Sequence, residues 1–311
     1  MPTYPAEVHR SHLTPLRFLQ RSAYVFRTKP AIVYGDKCWT YPQMAERVNR
    51  LASALTAAGV QKGDRVAALL PNIPPMLEMH FGVPLAGGIL VAINTRLKSD
   101  EIAYILNHSG AKVLVVDTEL APLVEPIRDQ LPALETIVSV EDVPGGLRLP
   151  GPDYESFLAS GDPSPIEWPL DDEDEVIAID YTSGTTGRPK GVMYTHRGAY
   201  LNALGEIIET RMSPDSVYLW TLPMFHCNGW CYPWAVTGIG GTHVCLRKFD
   251  PERVWELVRT AGVTHFCAAP TVLIALVNHP TAPKEPLSNK LIVSTAAAPP
   301  SPQIIAQMEA L

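Results

Sequence analysis

Residues 176–191 constrain the fold more than any other stretch of this 311-residue chain. Val176-Ile-Ala-Ile-Asp180 reads as a short apolar strand, and it runs directly into Tyr181-Thr-Ser-Gly-Thr-Thr-Gly-Arg-Pro-Lys190-Gly191. Gly184 and Gly187 let the backbone turn its N–H groups toward oxyanions, and Thr182, Ser183, Thr185 and Thr186 add hydroxyl donors. Lys190 adds a positive charge, with Pro189 stiffening the approach to it. A strand that delivers such a loop holds a polyphosphate. The spacing is not the Walker arrangement, because Lys190 lies three residues beyond Gly187 and is followed by Gly191 rather than by Ser or Thr. The next stretch, from Thr195-His-Arg-Gly-Ala-Tyr, reads as a capped helix start.

The rest of the chain alternates in the same way. Met44, Val48, Leu51 and Leu55 recur at helical spacing after Trp39-Thr-Tyr-Pro, and Gly59 closes that helix. Gly63 to Leu70 reads as a turn and a buried strand. Ser99 and Asp100 cap a helix carrying Ile102, Ile105 and Leu106, Gly110 ends it, and Lys112 to Val116 is a strand. Further strands are expected at Ser216–Leu222, His243–Leu246, Thr264–Ala268 and Leu291–Ser294, with helices at Pro251–Ala261 and Thr271–Asn278. Residues 141–175 read as turn and loop, ending in the acidic run Asp171-Asp-Glu-Asp-Glu175. Strands alternating with helices predict an α/β protein with parallel sheets.

Composition narrows the function classes. Apolar residues make up 46% and charged residues 18%, within the globular range, and a formal charge of −7 argues against a nucleic-acid or membrane-surface binder. The apolar stretch Val66–Ile93 is interrupted by Pro71, Pro74, Pro75, Glu78, His80 and Pro84, so no membrane span is expected. Five cysteines and no visible secretory signal point to free thiols and a cytoplasmic setting.

The segment Thr182 to Gly191 resembles the signature of the AMP-forming, adenylate-forming ligases, which include acyl-CoA synthetases. Trp39-Thr-Tyr, Arg47-Val-Asn-Arg-Leu-Ala52, Gly63-Asp-Arg-Val-Ala67, Leu70-Pro-Asn72 and Ala92-Ile-Asn-Thr-Arg96 extend the resemblance over essentially the whole chain. It implies the N-terminal region of that fold: two α/β lobes with mainly parallel sheets, the C-terminal domain absent. Lobe one is expected at about residues 61–214, and lobe two at about 1–60 plus 215–311. It also implies that Thr182, Ser183, Gly184, Thr185, Thr186, Gly187 and Lys190 cradle the phosphates of ATP, with Thr182 a candidate magnesium contact.

Leu222-Pro-Met-Phe-His-Cys-Asn-Gly-Trp230 resembles the family's acyl-substrate motif. By that resemblance His226 lies beside the α-phosphate and the carboxylate, and Trp230 gates an acyl pocket that also takes in Asn228, Gly229, Pro270 and Thr271. Tyr232 and Trp234 read as core aromatics. Ala296, Ala297, Ala298 and Pro299 occupy the place where relatives carry Gly-Gly-Ala-Pro against the adenine, and the two added methyl groups narrow that approach. His226, Cys227, Cys231, His243 and Cys245 are close enough in sequence to suggest zinc, but no paired C-x-x-C is present and the ligase motif already accounts for the block. Cys267 reads as buried packing.

The expected activity is ATP-dependent ligation of a short- to medium-chain carboxylic acid to CoA, with ATP, magnesium and CoA as partners and a homo-oligomer left open. Relatives continue beyond a helix like Pro302–Leu311 into a magnesium-binding Glu motif and a small domain with an adenylation Lys. The chain as given is therefore expected to be incomplete and inactive alone. A ligase that passes the acyl group to an acceptor other than CoA is the alternative.

Overall fold

The alternation of strands and helices closes into two six-stranded sheets among the described residues, which in this computed structural model are 11–167, 170–182, 187–296 and 298–311. The strands are β1 (Pro30–Tyr34), β2 (Lys37–Thr40), β3 (Arg65–Leu69), β4 (Ile89–Ala92), β5 (Ala111–Asp117), β6 (Thr136–Val140), β7 (Val176–Tyr181), β8 (Gly191–Thr195), β9 (Val217–Leu219), β10 (Thr242–Val244), β11 (His265–Cys267) and β12 (Ile292–Ser294). The first sheet has the order β6-β5-β3-β4-β7-β8 and the second β12-β11-β9-β10-β1-β2. Pairing is parallel except in two edge hairpins, β7–β8 and β1–β2. The fold is thus α/β with mainly parallel sheets, as expected.

Local sequence explains the elements that frame the site. The helix Tyr41–Ala57 starts at Thr40, whose backbone N–H donates to Gln43 Oε1 at 2.8 Å, and it buries Met44, Val48, Leu51 and Leu55. Val66–Ile93 resolves into β3, a helix Pro74–Leu85 and β4. Pro74 and Pro75 sit in the first turn, where a missing N–H costs nothing. Every residue of that helix is buried, so the run is apolar because it is central. Its one carboxylate, Glu78, is neutralised by Arg47 at 2.5 Å and accepts from the Tyr154 hydroxyl at 2.7 Å. No helix among the described residues is long and apolar enough to cross a membrane.

One expectation needs correction. Residues 141–175 hold a helix, Tyr154–Ala159, capped by Asp153 accepting from Ser156 N–H at 2.9 Å. Six residues are too few to show a periodicity, and the buried Tyr154–Glu78 contact fixes the helix instead. The capped helix start expected at Thr195 is present, since Thr195 Oγ1 accepts from Gly198 N–H at 3.0 Å at the head of the helix His196–Glu209, and the unanticipated strand Gly191–Thr195 runs antiparallel to β7 just before it.

One cation ties the two sheets together. Arg247, just beyond β10, donates to Asp117 at the end of β5 (2.8 Å), to Asp142 beyond β6 (2.7 Å) and to Glu119 (2.5 Å). Asp142 also accepts from the Tyr34 hydroxyl at 2.5 Å.

Of the four buried histidines among the described residues, His80, His196 and His243 are the ones most strongly held as neutral rings. His243 Nδ1 accepts from Trp220 Nε1 at 3.1 Å, which leaves Nε2 to donate to Thr237 Oγ1 at 3.0 Å. Burial lowers His243 to about 3 and His80 and His196 to about 4. The unfolded chain takes up these protons near pH 6.5 and the folded chain does not, so the stability they protect is complete above pH 6.5 and falls as the pH drops below it. Each ring is expected to cost about 1.4 kcal/mol at pH 5.5, measured by urea unfolding at pH 7.5 and 5.5. A transition that does not move between these two pH values would contradict this.

Candidate functional site

The phosphate-loop candidate is the connection of the β7–β8 hairpin. Its ends are pinned: Thr182 N–H donates to the Lys190 carbonyl at 3.0 Å, and Lys190 N–H donates to Thr182 Oγ1 at 3.2 Å. The loop's far arm rests on the helix Ser99–Ser109, where Tyr104 donates to the Pro189 carbonyl at 3.2 Å and the Arg188 guanidinium lies 5.7 Å from the Tyr104 ring centre. Ser183, Gly184, Thr185 and Thr186 lie outside the described residues. Gly187 and Lys190 are exposed, and a side chain at Gly187 would meet open space.

Beside this hairpin is a cavity of about 500 Å³. Tyr194 of β8 and Asn202 form one wall, His226, Cys227, Trp230 and Leu222 a second, and Cys267, Ala268, Ala269 and Ala296 the third. The third wall follows the carboxyl ends of β11 and β12, where open parallel sheets receive ligands. The cavity therefore lies between the two sheets, with an imidazole and an indole at its rim and small or apolar groups inside. Burial pushes the Cys267 thiol up to about 12, so it is neutral there.

The expected site residues divide. His226, Trp230 and Ala296 line the cavity. Pro270 and Thr271 instead begin the helix Pro270–Val277, one step beyond the lining residues Cys267–Ala269. Ala298 and Pro299 are exposed, and Ala297 lies outside the described residues. Tyr232 and Trp234 are buried, Tyr232 stacking on Tyr218 at 4.6 Å between ring centres. Tyr194 and Asn202 had no sequence signal, since their place depends on how β8 and the next helix pack.

Asn228 and Gly229 are buried below the cavity rather than facing it. They belong to an unusual segment in which Cys227, Asn228, Gly229, Trp230 and Cys231 all have φ between 50° and 63°, one turn of left-handed helix. Such a conformation costs roughly 1–2 kcal/mol at each residue other than Gly or Asn. Gly229 has no alternative, because a Cβ would come within 2.6 Å of the Trp220 ring. Asn228 Nδ2 donates to Asp180 Oδ2 at 2.6 Å, joining this turn to β7. Burial pushes the Asp180 carboxyl well above the usual range; Cys227 adds to the rise and His226 opposes it.

Magnesium takes oxygen ligands, commonly one or two carboxylates plus phosphate oxygens and water. Thr182 Oγ1 is an exposed oxygen of that kind, and no group of three or more His, Cys, Asp or Glu gathers among the described residues. The fit is to an ion that arrives on a polyphosphate.

The AMP-binding enzyme family matches residues 19–311, and the chain belongs to that family. Its sequence is 42% identical to a peroxisomal acetate/butyrate–CoA ligase of Arabidopsis thaliana, covering 99% of this chain and 56% of that one. It is 41% identical to a 4-hydroxybutyrate–CoA ligase of Metallosphaera sedula, covering 96% and 55%. Among solved structures, the N-terminal domain of FACL13 from Mycobacterium tuberculosis superposes with a TM-score of 0.86 at 29% identity, over 96% of this chain and 73% of that one. The chain spans about half the length of the curated relatives it matches.

Proposed function

We propose that the protein carrying this chain is an ATP-dependent carboxylate–CoA ligase for short, largely aliphatic acids, working through an acyl-adenylate. The carboxylate attacks the α-phosphorus of ATP and releases pyrophosphate, and the CoA thiolate then displaces AMP. The observation that carries this reading is the cavity shared by the His226–Trp230 segment, the ends of β11 and β12, and the hairpin bearing the phosphate loop. An acid in that cavity has its carboxylate at the rim, near His226 and the loop. The acids named for the relatives support a short chain.

In this reading Lys190 and the loop's hydroxyls bind the phosphates, His226 hydrogen-bonds the carboxylate and α-phosphate oxygens, and Trp230 closes over the acyl chain. Ala296 to Pro299 border the adenine. Thr182 would lend an oxygen to magnesium, which neutralises phosphate charge when bound. The test is pyrophosphate release with acetate or butyrate. It should require both ATP and the acid and fall by about 10²-fold in His226→Ala. Release from ATP alone, or full activity in that variant, would contradict the assignment.

A further inference from the structure

Asn228 is fully buried and does not line the cavity, yet it sits in the segment that presents His226 and Trp230. Its carboxamide lies between two other buried side chains. On one side is Asp180, on the strand that starts the phosphate loop. On the other is His80 of the helix Pro74–Leu85, whose Nδ1 donates to the Met76 carbonyl at 2.8 Å and whose other edge faces the amide without closing a hydrogen bond. His80 Nε2, Asn228 Oδ1 and Asp180 Oδ1 all remain buried without a partner among the described residues. Unsatisfied buried polar atoms and a run of left-handed residues are both unfavourable, and they persist only where surrounding structure imposes them.

We propose that Asn228 is a positioning residue: its bond to Asp180 clamps the left-handed turn Cys227–Cys231 onto β7, holding the acyl-cavity rim in register with the phosphate loop. The functional half of this statement rests on the ligase reading. The clamp explains why the turn keeps Cys227, Trp230 and Cys231 in a conformation they disfavour. The turn also meets the first sheet at its start, where Cys227 lies against the Tyr194 hydroxyl of β8, and the Asn228 bond is the tie at its centre. Asn228 acts through His226 and Trp230, since it is too deep to touch substrate itself.

The experiment compares Asn228→Gly, Asn228→Asp and the swap Asp180→Asn with Asn228→Asp. Glycine keeps the left-handed backbone accessible and removes only the clamp. The swap reinstates a carboxyl–amide pair with its ends exchanged. Without substrate, amide hydrogen exchange at residues 226–231 is expected to quicken about tenfold in Asn228→Gly and to return toward wild type in the swap. With ATP and butyrate, the same glycine variant is expected to raise the KM for the acid about tenfold, with the swap recovering most of it. Unchanged exchange in Asn228→Gly, or a swap no better than Asn228→Asp alone, overturns the clamp. Faster exchange with an unaltered KM overturns the positioning role. If the wild-type protein shows no ligase activity, the ligase reading fails while the exchange measurements still decide the clamp.

Discussion

Lys190→Ala is expected to slow pyrophosphate release by about 10²–10³-fold while leaving the thermal midpoint nearly unchanged. The two halves of that expectation come from different atoms of one residue. The backbone of Lys190 closes the hairpin loop, accepting from Thr182 N–H and donating to Thr182 Oγ1, and alanine keeps both contacts. The ammonium contributes nothing visible to packing, because the side chain is exposed at the mouth of the loop. Its contribution is a positive charge where, on the proposed reading, a triphosphate gains negative charge at its leaving oxygens. Lys190→Arg should recover part of the loss. Turnover within about threefold of wild type in the alanine variant would remove Lys190 from the phosphate role.

Arg247→Leu should instead act on stability, lowering it by about 3–5 kcal/mol. Leucine roughly keeps the volume, so the loss isolates the charge. Asp117 is 0% exposed and has lost its counter-ion, and Asp142, at 12%, is left facing it. Glu119 is 57% exposed and adds little, being screened by water. The midpoint should fall by about 10 °C. Asp142→Asn, which keeps a polar partner for both Arg247 and Tyr34, should cost much less. A loss below about 1 kcal/mol in Arg247→Leu would mean that water already screens the cluster.

Elements with enough length to repeat were legible in the sequence. The Tyr41–Ala57 helix announces itself through four apolar residues on one stripe, and Gly110 marks a helix end by adopting φ 62°. Strand positions β9 to β12 were found to within three residues at each end, but not their order, because parallel neighbours are chosen by packing between residues distant in sequence. The helix Tyr154–Ala159 and strand β8 were hidden for opposite reasons: the first is too short to show a period, and the second has its exposed Val192 and Met193 where an edge strand need not alternate. At the site, His226 and Trp230 carry motif signals. Asn228 reads as a cavity donor from its motif, and only the left-handed turn reveals that its amide points down to Asp180.

The division of the second sheet between two separate stretches of sequence also sets an order of assembly. β3 to β8 occupy one unbroken stretch, so the first sheet can complete as soon as residue 195 is available. β1 pairs with β10, Ile32 opposite His243, and must wait for a strand that lies beyond the whole of the first sheet. During synthesis the N-terminal hairpin therefore spends the longest time with an unpaired edge, and its buried Ala31 and Ile32 are exposed until then. Closing so long a loop is slow in topologies of high contact order. In this chain the strand pairing that spans the greatest distance in sequence is that of Ile32 with His243.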